Sequence, residues 1–195
     1  EVIEAGRALL AEASRTPKQL GEGLQQRWPD RQAAGLSYLC RNRLALVQVP
    51  PRGLWGKSSQ TTLTTLESWL GRQLEDDPDP EPVLLRYFGA FGPATVKDAQ
   101  TWCGLTKLGE VVDRLRPKLR TLTDEQGREL FDLPDAPRPD PDTPAPVRFL
   151  PEYDNCLRSH EDRSRILATE HRPRLATKND SPMPTFLVDG YVRGT

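Results

Sequence analysis

The sequence predicts an α+β protein: tandem winged helix-turn-helix modules followed by the start of a β-rich (barrel) domain. Three observations predict it. The order helix, helix, helix, strand, loop, strand can be read twice along the chain. Two proline-rich stretches, 75–82 and 135–146, separate the copies from each other and from the C-terminal third. Beyond the second stretch, helical periodicity gives way to short apolar runs and an Asp-Gly turn. The expected divisions are therefore a module at 1–74, an acidic Pro-rich linker at 75–82, a module at 83–134, a Pro-rich linker at 135–146 and a partial β-rich domain at 147–195.

In the first module Val2, Ile3, Ala5, Leu9 and Leu10 recur at helical spacing. Thr16-Pro17 opens a second helix: the hydroxyl can accept from the first-turn amides, and proline's missing N–H costs nothing there. That helix is expected to run through Leu20 and Leu24 to about Trp28, where Pro29 stops it. Asp30 is the expected cap of a third helix carrying Ala33, Ala34, Leu36, Tyr38, Leu39 and Cys40. From Leu44 to Val49 the period changes to that of a strand, residues 50–56 form a long Pro- and Gly-bearing loop, and Thr61 to Thr65 return.

The second copy repeats this order. A helix from Val83 to Phe91 ends at Gly92, a second from Thr95 to Cys103 ends at Gly104, and a third carries Leu108, Val111, Val112 and Leu115 before Pro117. Strands at Leu119–Thr123 and Arg128–Leu133 are joined by the turn Asp124-Glu125-Gln126-Gly127. In the last third, a strand at Val147–Leu150 precedes a polar loop at 151–155. A polar helix is expected around Arg158–Leu167, then a hairpin closing over Asp189-Gly190. The proline-rich stretch at 135–146 should be extended and stiff.

Composition narrows the function classes. A mean hydropathy of -0.63 describes a polar chain with no stretch long and apolar enough to span a bilayer. The first seven residues lack the basic and apolar regions of a signal peptide and read as the middle of a longer polypeptide. Cys40, Cys103 and Cys156 are an odd number, far apart, which suits a reduced, cytoplasmic setting. Cys156 and His160 are too few for a metal site, and neither a metal nor another cofactor is expected. Net charge is -1, but its distribution is uneven. Residues 1–74 carry ten Lys/Arg against six Asp/Glu, whereas residues 75–134 carry eight against twelve. A basic first third thus lies behind an acidic linker, as an electrostatic footprint for a polyanion would.

In a helix-turn-helix the third helix enters the major groove and the wing touches backbone or minor groove. This nominates Arg31, Gln32, Arg41, Asn42 and Arg43 near the third helix, and Arg52, Trp55, Lys57 and Ser58 in the wing. Arg52 and Lys57 offer charge to phosphate, and Trp55 a flat face for stacking. The alternative is that Trp55 packs beneath its own wing and the charges only solvate it. The second module is a weaker reader, because Glu110 and Asp113 share its third helix with Lys107, Arg114 and Arg116, and Asp124 and Glu125 occupy its wing. His160 and His171 lie in charged sequence and are expected to be exposed. Tyr153, Asp154 and Asn155, following a strand, are either an active-site shell or a loop that caps its own backbone.

Residues 47–56 (VQVPPRGLWG), 91–96 (FGPATV), 149–155 (FLPEYDN) and 186–190 (FLVDG) closely resemble a bacterial family of winged-helix DNA-binding proteins. That superfamily includes the DNA glycosylases that remove bulky alkylated purines and unhook interstrand crosslinks. The resemblance implies three tandem winged helices and a C-terminal β-barrel around a DNA channel, with double-stranded DNA as partner. It also implies a Gln-x-Gln (or Gln-x-Asp/Glu) motif that positions the attacking water. Nothing in this sequence matches that motif, since Gln25 and Gln26 are adjacent and Gln48 lies in the wing strand. The resemblance therefore puts the motif upstream of Glu1, makes the chain the second and third winged helices plus the start of the barrel, and leaves the chain alone inactive. Two other functions stay open: a non-catalytic DNA-binding regulator, and a winged-helix module for protein contacts.

Overall fold

In the computed structural model, which describes residues 1–175 and 182–195, helix α1 spans Val2–Glu12 and leads through a short extended link into α2, Pro17–Gln25. Thr16 and Gln19 form a reciprocal cap: the Gln19 amide donates to the Thr16 hydroxyl at 3.2 Å, and the Thr16 amide to the Gln19 side chain at 2.9 Å. Gly21 lets α2 lie close to α3, Ala33–Arg43, because a β-carbon there would collide with the Ala33 carbonyl. Asp30 is not the cap of α3. The chain leaves α2 through a turn over residues 28–31, and Gln32 takes the cap position with no side-chain hydrogen bond. Leu10, Leu20, Leu24 and Cys40, all fully buried, form the core, closed by Leu36, Leu44 and Leu63.

Strands β1, Leu46–Gln48, and β2, Leu63–Thr65, pair antiparallel with Leu46 opposite Thr65. The link between α1 and α2 joins them: Arg15 exchanges backbone hydrogen bonds with Leu63 at 2.9 and 2.8 Å. A one-turn helix, α4, Leu66–Leu70, follows directly; Thr65 caps it and Gly71 ends it at φ 67°. Five residues are too few to show a helical period, so α4 left no trace in the hydrophobic pattern. These elements lie in one compact unit, Glu1–Pro78.

The unit Asp79–Thr195 opens with α5, Glu81–Phe91, α6, Val96–Cys103, and α7, Leu108–Leu115. Thr95 and Asp98 repeat the reciprocal cap, and Gly104 supplies the left-handed residue that ends α6. Tyr87, Phe88, Leu84, Val112, Leu115 and Phe131 are essentially dry. Strands β3, Arg120–Thr123, and β4, Glu129–Asp132, pair antiparallel over the Asp124–Gly127 turn. Here too the link between the first two helices joins the returning strand, Ala94 exchanging bonds with Phe131 at 3.0 and 2.8 Å. The two copies therefore share a third short pairing as well as their element order. In the proline-rich stretch the Arg138 guanidinium donates to the carbonyls of Leu133 and Ala136, at 2.7 and 2.8 Å.

The last segment lies in the same unit. Strands β5, Arg148–Leu150, β6, Thr185–Val188, and β7, Tyr191–Gly194, form an open antiparallel sheet in the order β5-β6-β7. Asp189 and Gly190, at φ 51° and 77°, make the turn between β6 and β7. Among the described residues the sheet does not close into a barrel. No α-helix forms at 158–167. Instead the Asp162 carboxylate accepts from the Ser164 amide at 3.0 Å, and the Ile166 and Leu167 amides turn back to the Arg163 carbonyl. Such local side-chain bonds compete with the helical ladder. Two 3₁₀ turns, Asn155–Leu157 and Thr169–Arg174, flank this stretch. Leu157, Leu167 and Val192 make a small core of their own. No helix among the described residues is long and apolar enough to cross a membrane, and all three cysteines are free thiols.

Candidate nucleic-acid interface

The β1–β2 loop carries the most exposed aromatic side chain of the first unit. Trp55 is 102% exposed, so it packs under nothing, and Leu54 beside it is half-exposed. Gly53 and Gly56, at φ 87° and 69°, allow the tight turns on either side, and the Lys57 amide donates to the Leu54 carbonyl at 3.0 Å. Arg52 reaches across the loop to the Ser59 carbonyl at 3.1 Å, which braces the loop while the charge stays in solvent. Lys57 and Ser58 are exposed at its tip.

On α3 the buried positions Leu36, Ser37, Cys40 and Leu44 leave Tyr38, Leu39, Arg41, Asn42 and Arg43 outward. Asn42 turns its amide back onto the Tyr38 carbonyl at 2.8 Å. Arg31 is exposed in the turn before α3, beside Gln32. Among the described residues Arg31, Arg41, Arg43, Arg52 and Lys57 have no carboxylate partner; the ion pairs of this unit use Arg7, Arg15 and Lys18.

Two surface hollows tie helix and loop together. One, about 390 Å³, lies between α2 and α3 and is lined by Lys18, Ala33, Ser37 and Arg41. The other, about 670 Å³, is lined by Thr16, Lys18, Arg52 and Gln60. Lys18 borders both, as does Glu22, which stands 3.8 Å from the Lys18 ammonium. A cation in the first turn of a helix opposes the helix dipole. That unfavourable placement was the available signal for Lys18, which a reading confined to the third helix and the wing passes over.

In the second unit, cations around the third helix and the hairpin are paired. Arg114 pairs with Glu81 at 3.2 Å, Arg116 with Asp113 and Glu129 at 2.9 and 2.7 Å, and Arg128 with Asp124 and Asp162. Asp124 also holds its own turn, accepting from the Gln126 and Arg128 amides.

In the loop after β5, Asp154 accepts from the Cys156 amide at 2.8 Å, and the Asn155 carbonyl accepts from the Arg158 and Ser159 amides. Tyr153, at φ 62° and 57% exposed, lies beneath the Arg158 guanidinium at 5.5 Å. Asp154 thus spends its carboxylate on the backbone, while the Tyr153 ring remains accessible. His160 is half-buried, contrary to the exposure its sequence context suggests. Its Nδ1 faces the Ser159 hydroxyl at 2.9 Å and its Nε2 the Phe91 carbonyl at 3.0 Å. A neutral ring donating from Nε2 and accepting at Nδ1 satisfies both contacts. Burial, and then Arg165, holds its pKa below the ordinary value.

The family model described as DNA glycosylase AlkZ-like matches residues 1–195. The chain belongs to the AlkZ-like DNA glycosylase family. Among solved structures, the DNA glycosylase AlkZ of Streptomyces sahachiroi aligns with a TM-score of 0.71 at 24% identity, over 98% of this chain and 55% of that one. At that identity the likeness speaks for the fold, and the AlkZ-like chain spans about half the length of its structural relative. No curated protein matches it. A member of a DNA glycosylase family thus carries on one small unit an exposed indole and, without a carboxylate partner among the described residues, Arg31, Arg41, Arg43, Arg52 and Lys57, with Lys18 bordering both hollows.

Proposed function

We propose that this chain is the DNA-holding portion of a DNA-repair glycosylase that acts on bulky alkylated bases or crosslinks, and that its two helix-hairpin copies are winged helix-turn-helix modules. The shared third pairing, Arg15 with Leu63 and Ala94 with Phe131, supports the winged-helix reading, since it adds to each hairpin a strand-like link between the first two helices. In this reading α3 lies toward the major groove. Arg52 and Lys57 contact phosphate, Trp55 stacks on a base or sugar, and Lys18 and Arg41 continue the cationic edge. The paired cations of the second copy's third helix and hairpin, Arg114, Arg116 and Arg128, suit that copy to a supporting role.

The observation that carries the proposal is the absence of carboxylate partners around Arg31, Arg41, Arg43, Arg52 and Lys57 among the described residues. By contrast Arg114, Arg116 and Arg128, in the second unit, do find carboxylates. In base excision an alkylated purine already bears positive charge and leaves readily. The enzyme then chiefly orients water and stabilises an oxocarbenium-like sugar. We assign no residue of this chain to bond cleavage. Tyr153, with Asp154 and Asn155 shaping its loop, is the proposed contact to the extruded nucleotide.

The test is a duplex-binding titration across salt concentrations. Log affinity should fall linearly with log salt, and R52A and K57A should each flatten the slope by about one unit. No measurable affinity for duplex at low salt would reject DNA holding in favour of a protein-contact module.

A further inference from the structure

A cavity of about 310 Å³ lies between the two 3₁₀ turns that precede the β6–β7 hairpin, and three arginines line it: Arg158, Arg163 and Arg172. Its remaining wall is apolar, including Leu157, Leu167 and Met183.

No carboxylate among the described residues pairs with any of the three guanidiniums, although Arg114, Arg116, Arg128 and Arg138 in the same unit all find one. The Nε of Arg163 is buried without a hydrogen-bond partner. Leaving such a group without a partner is unfavourable, and more so when it is charged. Burial also holds the Arg163 pKa below its ordinary value, and the neighbouring charges of Arg172 and Arg158 push it the same way.

The geometry is held in place rather than accidental. The Leu167 amide donates to the Arg163 carbonyl at 2.9 Å, anchoring Arg163 to a buried leucine, and the Met183 amide donates to Leu175 at 2.9 Å across the other side. Three like charges around one apolar-walled hollow repel each other and lose hydration together. An oxyanion would relieve both costs at once. Guanidinium groups match the oxygens of a phosphate with two parallel N–H donors each, which a carboxylate can use only once.

We propose that this cavity is a phosphate-binding site, formed by Arg158, Arg163 and Arg172, that is separate from the β1–β2 loop. The phosphate is either that of a nucleotide, whose sugar or base rests on the apolar wall, or free inorganic phosphate. Arg158 connects the site to Tyr153, which it covers, so occupancy bears on the loop after β5.

Thermal unfolding and calorimetric titration of the whole chain test this with inorganic phosphate, a 5′-deoxynucleoside monophosphate and sodium chloride at matched ionic strength. Phosphate or the monophosphate should raise Tm beyond the chloride control. The exposed Arg172→Gln should weaken that binding about tenfold, as loss of a charged hydrogen bond does, and should raise Tm in phosphate-free buffer by relieving repulsion. Arg163→Lys keeps the charge but loses the fork and should also weaken binding, whereas Arg86→Ala, at an exposed position on α5, should leave it unchanged. Tighter binding of the monophosphate assigns a nucleotide source; equal binding assigns the free ion. No stabilisation beyond chloride, or an Arg172→Gln protein that binds phosphate as the parent does, overturns the proposal. Either result leaves the loop's role in holding DNA untouched, because that is read from salt-dependent duplex binding and Arg52.

Discussion

At the scale of single residues, exposure and pairing separate function from packing. Trp55 has no protein contact to lose, so W55A should leave Tm within about 2–4 °C of the parent, since surface substitutions of this kind stay near ±0.5 kcal/mol. If the indole stacks on nucleic acid, the same substitution should weaken duplex binding about tenfold, in line with ~1–3 kcal/mol per stacked base. Unchanged affinity in a fluorescence-anisotropy titration would remove Trp55 from the interface. Tyr87 is the opposite case. That ring is buried, its hydroxyl donates to the Ser159 carbonyl at 2.7 Å, and burial pushes its pKa up. One aromatic is available to a partner and the other holds the fold.

At the scale of elements, the two reciprocal caps carry a measurable share of helix stability. Thr95 binds Asp98 through both its amide and its hydroxyl, at 2.8 and 2.7 Å, and Asp98 also accepts from the Glu161 amide at 2.9 Å. T95A should therefore cost about 1 kcal/mol, and D98A more, because it would also remove the acceptor of the Glu161 amide from a distant segment. Chemical denaturation of both variants checks the order; equal losses would mean that the Glu161 contact contributes nothing. The Thr16–Gln19 cap is exposed and has no such third partner, so T16A should be the mildest of the three.

At the scale of the whole molecule, acid should act on the unit that holds His160. The folded state favours the neutral ring, with its pKa below 6.5. The stability it contributes is full above that value and is lost as pH falls through the folded pKa. The carboxylates come next. Asp98, although buried, is held low by the Thr95 and Glu161 donors, and Asp162, bonded to Ser164 and Arg128, lies at about 2. Their contributions are complete above the ordinary aspartate range and disappear below it. Tm should thus decline in two steps, below about pH 6.5 and again below about 4. H160Q should remove the first step only; a persisting first step would assign it elsewhere.

Local chemistry written in the sequence was enough for much of this. Thr-Pro and Thr-x-x-Asp starts, Gly92 and Gly104 stops, and the Asp189-Gly190 turn act within a few residues, so these helix and hairpin boundaries needed no distant partner. The motif runs likewise carried the family, which residues 1–195 match. Tertiary structure decided what depends on neighbours far along the chain. It turned 158–167 away from a helix, because Ser159 and His160 answer to Tyr87 and Phe91 rather than to their own helical ladder. It added a third pairing to each hairpin, brought Lys18 beside both Arg41 and Arg52, and gathered around one hollow three arginines that find no carboxylate among the described residues. Periodicity describes which face of an element is apolar; which charges end up without a partner is fixed only when the chain has closed on itself.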